Sequence, residues 1–394
     1  MTYEFAERVS KIRSSAIRDM LKITEMPEVI SLAGGLPAEE LFPTSDIKAA
    51  VNYVLQAESA ASLQYGPTEG YLPLRKQIAS IMNERGVYCS ADEILVTNGS
   101  QQSLDLLGRV FLNQGDVVLM ENPTYLAAIQ AFEAFEPRLA AVPTDEQGML
   151  PEALEKAIIE KQPKLVYLVP TFQNPTGRTM NLERRSAVAR ILRQHQVLLV
   201  EDDPYSALRF EGDELPSIKS MENDWVIYLS TFSKTVAPGF RVGWMVGDRR
   251  VISNVAKCKQ GADLHTNSLV QHILVRYLQE ADTPAHIDRI RAEYKRRKDA
   301  MLEALAREFP PEVSWSLPEG GMFLWLQLPE GLDTELLLTE AVAQKVAFVP
   351  GKPFFVGGGG ENTMRLNYSN SSPGLINEAI RRLARLIRPH LDVA

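Results

Sequence analysis

Val226-Ile-Tyr-Leu-Ser-Thr-Phe-Ser-Lys-Thr is an apolar run that ends in hydroxyls and a lysine, and an arginine follows seven positions after that lysine. A lysine leaving a buried strand cannot hold its charge cheaply in a dry pocket, so its pKa falls or it reacts. An exposed lysine, pKa roughly 10.4, is a poor nucleophile at neutral pH, whereas a desolvated one beside a carbonyl compound forms a Schiff base. Alone, Lys234 would read as a strand-end lysine pointing into water. Thr231, Ser233 and Arg241 change that reading, because two hydroxyls and a guanidinium together suit a dianionic phosphate.

Three further segments have the same form, an apolar run followed by polar groups. Val197-Leu-Leu-Val-Glu-Asp-Asp-Pro-Tyr places acids at a strand end, with Tyr205 three positions after Asp202. A buried carboxylate there could face a ring nitrogen and keep it protonated, making the ring an electron sink. The plainer reading is an Asp-Pro turn, which Glu201 and Asp203 fit better than Asp202 does. Leu168-Val-Pro-Thr-Phe-Gln-Asn-Pro-Thr-Gly ends in a turn by composition, one able to hold the Asn174 amide rigidly toward a phenolic oxygen. Ile94-Leu-Val-Thr-Asn-Gly-Ser-Gln reads as strand, glycine turn and helix start. Unpaired N–H groups at a helix N-terminus bind phosphate readily, and Ser100 and Gln101 could add donors; an ordinary N-cap by Ser100 is compatible with this.

The elements that must position these groups follow from the pattern. Apolar runs at 94–97, 117–120, 165–169, 197–200, 226–229 and 242–246 read as buried strands, separated in places by helical stretches such as 103–112, 151–161 and 182–194. This rhythm implies an α/β fold with a mostly parallel sheet and helices on both faces. Ligands of such sheets sit beyond the carboxyl ends of the strands, where the chemically loaded residues lie. The last hundred residues read as α+β: a helix near 287–308, short strands near 323–328, 346–350 and 363–368, and helices near 334–343 and 373–387. We expect a large domain over 45–290 and a smaller one built from 1–44 and 291–394. The run 357–360 reads as a mobile glycine loop, and 36–44 as an extended crossing segment.

Composition narrows the function classes. The chain has 394 residues, 45% hydrophobic and 23% charged, an ordinary globular balance. A formal net charge of -8 argues against non-specific nucleic-acid binding yet allows a local anion pocket. Two cysteines, far apart in sequence, fit a reducing compartment, and the five histidines form no metal-binding pair. The charged N-terminus shows no secretory pattern and no apolar run approaches the ~20 residues of a membrane helix, so a cytoplasmic enzyme is expected.

Taken in order and spacing, the four segments resemble fold-type I, class I and II aminotransferases, enzymes that use pyridoxal 5'-phosphate. The resemblance implies an aspartate aminotransferase-like fold. It makes Lys234 the imine-forming lysine, Asp202 the partner of the pyridine nitrogen, and Tyr205 and Asn174 donors to the ring 3-oxygen. Ser100, Gln101, Thr231, Ser233 and Arg241 correspond to the phosphate cup, and Tyr125, in Asn122-Pro-Thr-Tyr, to the residue stacked on the ring. Arg365, in Asn362-Thr-Met-Arg-Leu-Asn-Tyr, corresponds to the arginine that grips the substrate α-carboxylate, a task for a bidentate fork. Tyr65 resembles the tyrosine given across a homodimer interface to the neighbouring site.

Ser31-Leu-Ala-Gly-Gly-Leu-Pro, Gln260-Gly-Ala-Asp-Leu-His-Thr and Gly358-Gly-Gly-Glu-Asn-Thr look like the 2-aminoadipate and kynurenine branch of that family. There an N-terminal helix covers the substrate, with Arg18 at the position that meets a second carboxylate and Gly35 where the backbone passes close. The resemblance implies amino-group transfer from an L-amino acid (2-aminoadipate, aromatic or branched-chain) to a 2-oxo acid such as 2-oxoglutarate. The same fold also serves β-lyases and cofactor-sensing regulators, and no GxGxxG supports a nicotinamide enzyme.

Overall fold

The computed structural model describes residues 3–6 and 28–391. After β1 (Ile30–Ser31), the main sheet is built from β2 (Ile94–Thr97), β3 (Val117–Asn122), β4 (Arg138–Asp145), β5 (Gly148–Met149), β6 (Leu165–Leu168), β7 (Leu198–Asp202), β8 (Val226–Thr231) and β9 (Gly243–Val246). Their order is β2-β9-β8-β7-β6-β3-β4-β5. From β8 to β4 every pairing is parallel. β9 runs antiparallel between β8 and β2, and β5 antiparallel on β4. Every residue of β2, β6, β8 and β9 is buried, as expected for strands covered on both faces.

All six apolar runs are strands of this sheet, and the helices Ser100–Phe111, Pro151–Lys161 and Leu182–His195 stand where periodicity placed them. The first begins three residues before the expected 103, because Gly99 takes φ 74° at the N-cap and turns the chain directly from strand to helix. Ser100 is thus the first helical residue, not the cap. β4 was not among the strands read from the sequence: its apolar stretch Leu139–Val142 is flanked by Arg138 and by Thr144 and Asp145, it lies next to the edge strand, and only Val142 is buried.

The C-terminal part holds β10 (Ser314–Trp315), β11 (Phe323–Gln327), β12 (Val346–Ala347), β13 (Val349–Pro350) and β14 (Thr363–Asn367). Four of these form an antiparallel sheet in the order β10-β11-β14-β13. Arg365 lies mid-β14, paired with Trp325 on one side and Val349 on the other. The helices Thr283–Glu308, Thr334–Ala343 and Pro373–Leu391 pack with this sheet. β1 pairs in parallel with β12, and Leu32 bonds to Ala347 O and Asn367 N, which fixes the segment leading into Ala33–Gly35. Among the described residues no helix is long and apolar enough to cross a membrane.

Candidate active site

β7 shows how the sheet sorts its acids. Successive side chains of a strand point to opposite faces. Glu201 turns one way and accepts from the backbone N–H groups of Ile218 and Lys219 at 2.9 and 2.8 Å. Asp203 turns the same way, toward Arg85 (3.2 Å), the Tyr228 hydroxyl (2.8 Å) and the Ser206 N–H (2.9 Å). Asp202 faces the opposite side. Its Oδ2 accepts from the Tyr167 hydroxyl at 2.8 Å, while its Oδ1 is buried with no partner among the described residues. Burial above all, and the nearby Asp203 charge, raise Asp202 to about 7 against the opposing Tyr167 bond.

β8 delivers the lysine. It ends at Thr231, whose hydroxyl accepts from Ser233 N–H at 3.1 Å and so caps the single turn Phe232–Lys234. The Thr231 and Ser233 hydroxyls lie 2.8 Å apart. Lys234 Nζ donates to Gly35 O at 2.9 Å. Burial first, then the charges of Arg365 and Arg241, lower this amine to about 8.

The anion-binding groups converge nearby. Gly99 brings no side-chain cap to the helix Ser100–Phe111, so its first turn keeps N–H groups for a ligand, those of Ser100 and Gln101 included. The Gln101 side chain is exposed and bonds Ala127 O at 3.2 Å. Arg241, exposed and at φ 52°, reaches Asn98 O at 3.4 Å. Two glycines are needed here for different reasons: a Cβ on Gly243 would stand 2.7 Å from the backbone N of Ser100, whereas Gly99 holds φ 74°, a conformation other side chains rarely adopt.

Around Asp202, Asn174 Nδ2 stands 3.5 Å from the Tyr205 hydroxyl, and both residues are buried. Tyr125, half-buried, precedes the helix Leu126–Glu133. Burial pushes its hydroxyl up to about 12, the Asp202 charge adding to the rise while Arg365 and Arg241 oppose it. Arg365, 3% exposed, donates from Nη1 to Asn174 Oδ1 at 2.8 Å and from Nη2 to Ala33 O at 2.7 Å. Its Nε has no partner among the described residues. Its guanidinium lies over the Phe323 ring at 4.3 Å, and burial lowers it to about 10.

The fold thus gathers Lys234, Asp202, Tyr205, Asn174, Tyr125, Arg241 and Arg365 within reach of one another's fields. Tyr65 stands apart, 79% exposed and edge-on to His265 at 5.8 Å. Arg18 lies outside the described residues. Two residues carried no motif signal: Tyr167, an ordinary strand tyrosine until the sheet sets β6 beside β7, and Phe323, whose ring packs against Arg365 and Tyr205.

A buried, unpartnered carboxylate oxygen, a glycine-lined helix start, hydroxyls beside a depressed lysine and an incompletely bonded arginine together fit pyridoxal phosphate and an amino acid. These features and the fold define a fold-type I pyridoxal-phosphate enzyme. The chain belongs to the aminotransferase class I and II family, which it matches over residues 27–383. It is 45% identical over 394 residues to aromatic-amino-acid aminotransferase 1 of Thermococcus litoralis, covering 98% of this chain and 94% of that one. The crystal structure of alpha-aminoadipate aminotransferase from Thermus thermophilus, complexed with N-(5'-phosphopyridoxyl)-L-leucine, is similar at a TM-score of 0.93 and 41% identity, covering 99% and 98% of the two chains. Kynurenine aminotransferase of Pyrococcus horikoshii is similar at a TM-score of 0.94 and 45% identity, covering 98% and 97%. The protein is a pyridoxal-phosphate-dependent transaminase of the branch that contains these enzymes.

Proposed function

We propose that this transaminase draws its amino group from L-amino acids with acidic, aromatic or branched-chain side chains, 2-aminoadipate among them, and passes it to 2-oxoglutarate. The setting of Arg365 carries the reading. Among the described residues its buried guanidinium has no anionic partner: its two Nη groups rest on neutral oxygens of Asn174 and Ala33, and Nε is free. A buried cation so placed is costly until a carboxylate completes it. Donor amino acid and acceptor 2-oxo acid share that carboxylate, so one arginine serves both halves of a ping-pong cycle. Breadth on the side-chain end is supported by relatives named for aromatic amino acids, aminoadipate and kynurenine, and by the leucine adduct in one of them.

Pyridoxal phosphate, when bound, supplies an aldehyde carbon that bonds an amine and a ring that draws electrons from the bond being broken. The chain's own groups take the remaining tasks. Ser100, Gln101, Thr231, Ser233 and Arg241 hold the phosphate, and Tyr125 covers the ring. Asn174 and Tyr205 donate to its 3-oxygen, and Asp202 Oδ1 holds a proton at the ring nitrogen. Arg365 fixes the substrate carboxylate and thereby the direction of the Cα–H bond. Lys234, about half neutral at pH 8, would remove the Cα proton and return it across the amino nitrogen, to the cofactor's aldehyde carbon, as general base and acid. Exposed Tyr65 supports a homodimer in which each protomer lends this tyrosine to the other's phosphate.

The test is a panel of L-amino acids with 2-oxoglutarate as acceptor, read as glutamate formed. Turnover of acidic, aromatic or branched-chain donors is the expected result. Release of ammonia and a 2-oxo acid from a single amino acid without acceptor would show a lyase and overturn the proposal.

A further inference from the structure

Asp202 is set to work by a residue that no motif singles out. Tyr167, on β6, is fully buried, its ring held edge-on to Phe132 with centroids 6.0 Å apart. The sheet register pairs Tyr167 with Val200 on β7, two residues before Asp202, and the tyrosine hydroxyl reaches Asp202 Oδ2 at 2.8 Å. One carboxylate oxygen is thereby occupied, and the other, Oδ1, is left buried and open among the described residues.

We propose that Tyr167 is a positioning residue that turns Asp202 Oδ1 toward the ring nitrogen of pyridoxal phosphate and keeps the shared proton on that nitrogen. A hydroxyl donor stabilises the ionised carboxylate over the protonated one. Tyr167 can act only as the donor in this pair, because burial and the Asp202 charge hold its own proton far above the usual tyrosine range. Without it, Asp202 becomes more basic and takes a larger share of the proton, and the ring pulls electrons less strongly. The other groups that face this pair do not replace it. Asp203 is engaged with Arg85 and Tyr228 on the opposite side, and Tyr125 and Tyr205 respond to the Asp202 charge without bonding it.

The inference rests on Asp202 being the partner of the ring nitrogen, and the experiment separates the two claims. Holoenzyme is loaded with pyridoxal phosphate carrying 15N in the ring, and the nitrogen shift is followed against pH for the natural protein and for Tyr167→Phe. In the natural protein the signal of a protonated nitrogen is expected near neutral pH. In Tyr167→Phe it moves toward that of neutral pyridine, with kcat lower by about tenfold or more and KM changed by less than about threefold, the scale of one hydrogen bond to a charged group. A neutral nitrogen in the natural protein overturns the Asp202 assignment itself. A protonated nitrogen in both proteins, with equal kcat, overturns the role of Tyr167 alone. If Tyr167→Phe does not fold, 3-fluorotyrosine at position 167 keeps the packing and strengthens the donor. At neutral pH the nitrogen signal then stays at or moves further toward the protonated value, and a shift toward that of neutral pyridine overturns the proposal.

Discussion

Replacing Arg365 by lysine preserves charge but removes the planar fork, and the structure sets the size of the effect. The guanidinium uses Nη1 on Asn174 Oδ1 and Nη2 on Ala33 O, at 2.8 and 2.7 Å, and its carbon lies 4.3 Å from the centre of the Phe323 ring. A lysine ammonium offers a point charge that cannot pair with both carboxylate oxygens in one plane or stack in the same way. Losing one charge-assisted hydrogen bond costs roughly 1.5–3 kcal/mol, and losing the stacked cation about 1 kcal/mol more. Their sum, about 3 kcal/mol, corresponds to a fall of about a hundredfold or slightly more in kcat/KM. The assay compares each L-amino acid with the amine that lacks its α-carboxylate. Arg365→Lys is expected to lose the full factor on the amino acid and less than about threefold on the amine, whose contacts never included the fork. Equal losses on both substrates would refute the carboxylate assignment and leave Arg365 a structural cation between the two sheets.

Two further predictions concern Lys234 and the Asn174 turn. With the amine lowered to about 8, roughly a quarter is neutral at pH 7.5, against about one part in a thousand for an ordinary lysine. Neutral amine increases with pH, so borohydride-fixable attachment of pyridoxal phosphate to apoprotein should accelerate through a midpoint near 8. It should be absent in Lys234→Ala, and a midpoint above 10 or attachment in that variant contradicts the assignment. Gly177→Ala puts a methyl 2.4 Å from Phe323 O at φ 68°, so a loss of about 2–3 kcal/mol of stability is expected in denaturant unfolding of the holoenzyme; an unchanged midpoint opposes it.

Where a signal is local, the sequence carries it. The hydroxyls and lysine at and just past the end of β8, the acid that ends β7 and the glycine turn after β2 each follow an apolar run, so their place at strand ends could be read directly. The turn-like sequence set Asp202 apart from Glu201 and Asp203, and strand alternation in the structure gives the reason, turning Asp202 to the face opposite the other two. What stayed hidden depends on neighbours distant in the chain. Tyr167 acquires meaning only when β6 lies beside β7, Phe323 only when β11 pairs with β14 beneath Arg365, and Ala33 only when β1 docks on β12. β4 escaped notice for a different reason: its apolar stretch Leu139–Val142 is short, half alanine and flanked by polar residues, as suits a strand near the sheet edge where only Val142 is buried.

In a chain of net charge -8, three cations come together at this site. The Lys234 amine is depressed partly by Arg365 and Arg241, and Arg365 itself is lowered by burial. Asp202 does not offset them: burial and Asp203 raise it, and Tyr167 rather than any of the three cations pulls the other way. The site therefore has two poles, one cationic and one a carboxylate that retains basicity. Opposite charges held close without ion pairs between them, Arg365 and Asp202 buried, Lys234 partly so and Arg241 at the mouth, make sense when a ligand bridges them. Such a ligand must carry anionic groups toward Arg241 and Arg365, a carbon open to the Lys234 amine, and a basic ring nitrogen toward Asp202. A phosphorylated pyridine aldehyde together with a carboxylate-bearing amine has that charge pattern. A nucleotide does not, because its base offers no aldehyde carbon for the lysine to bond.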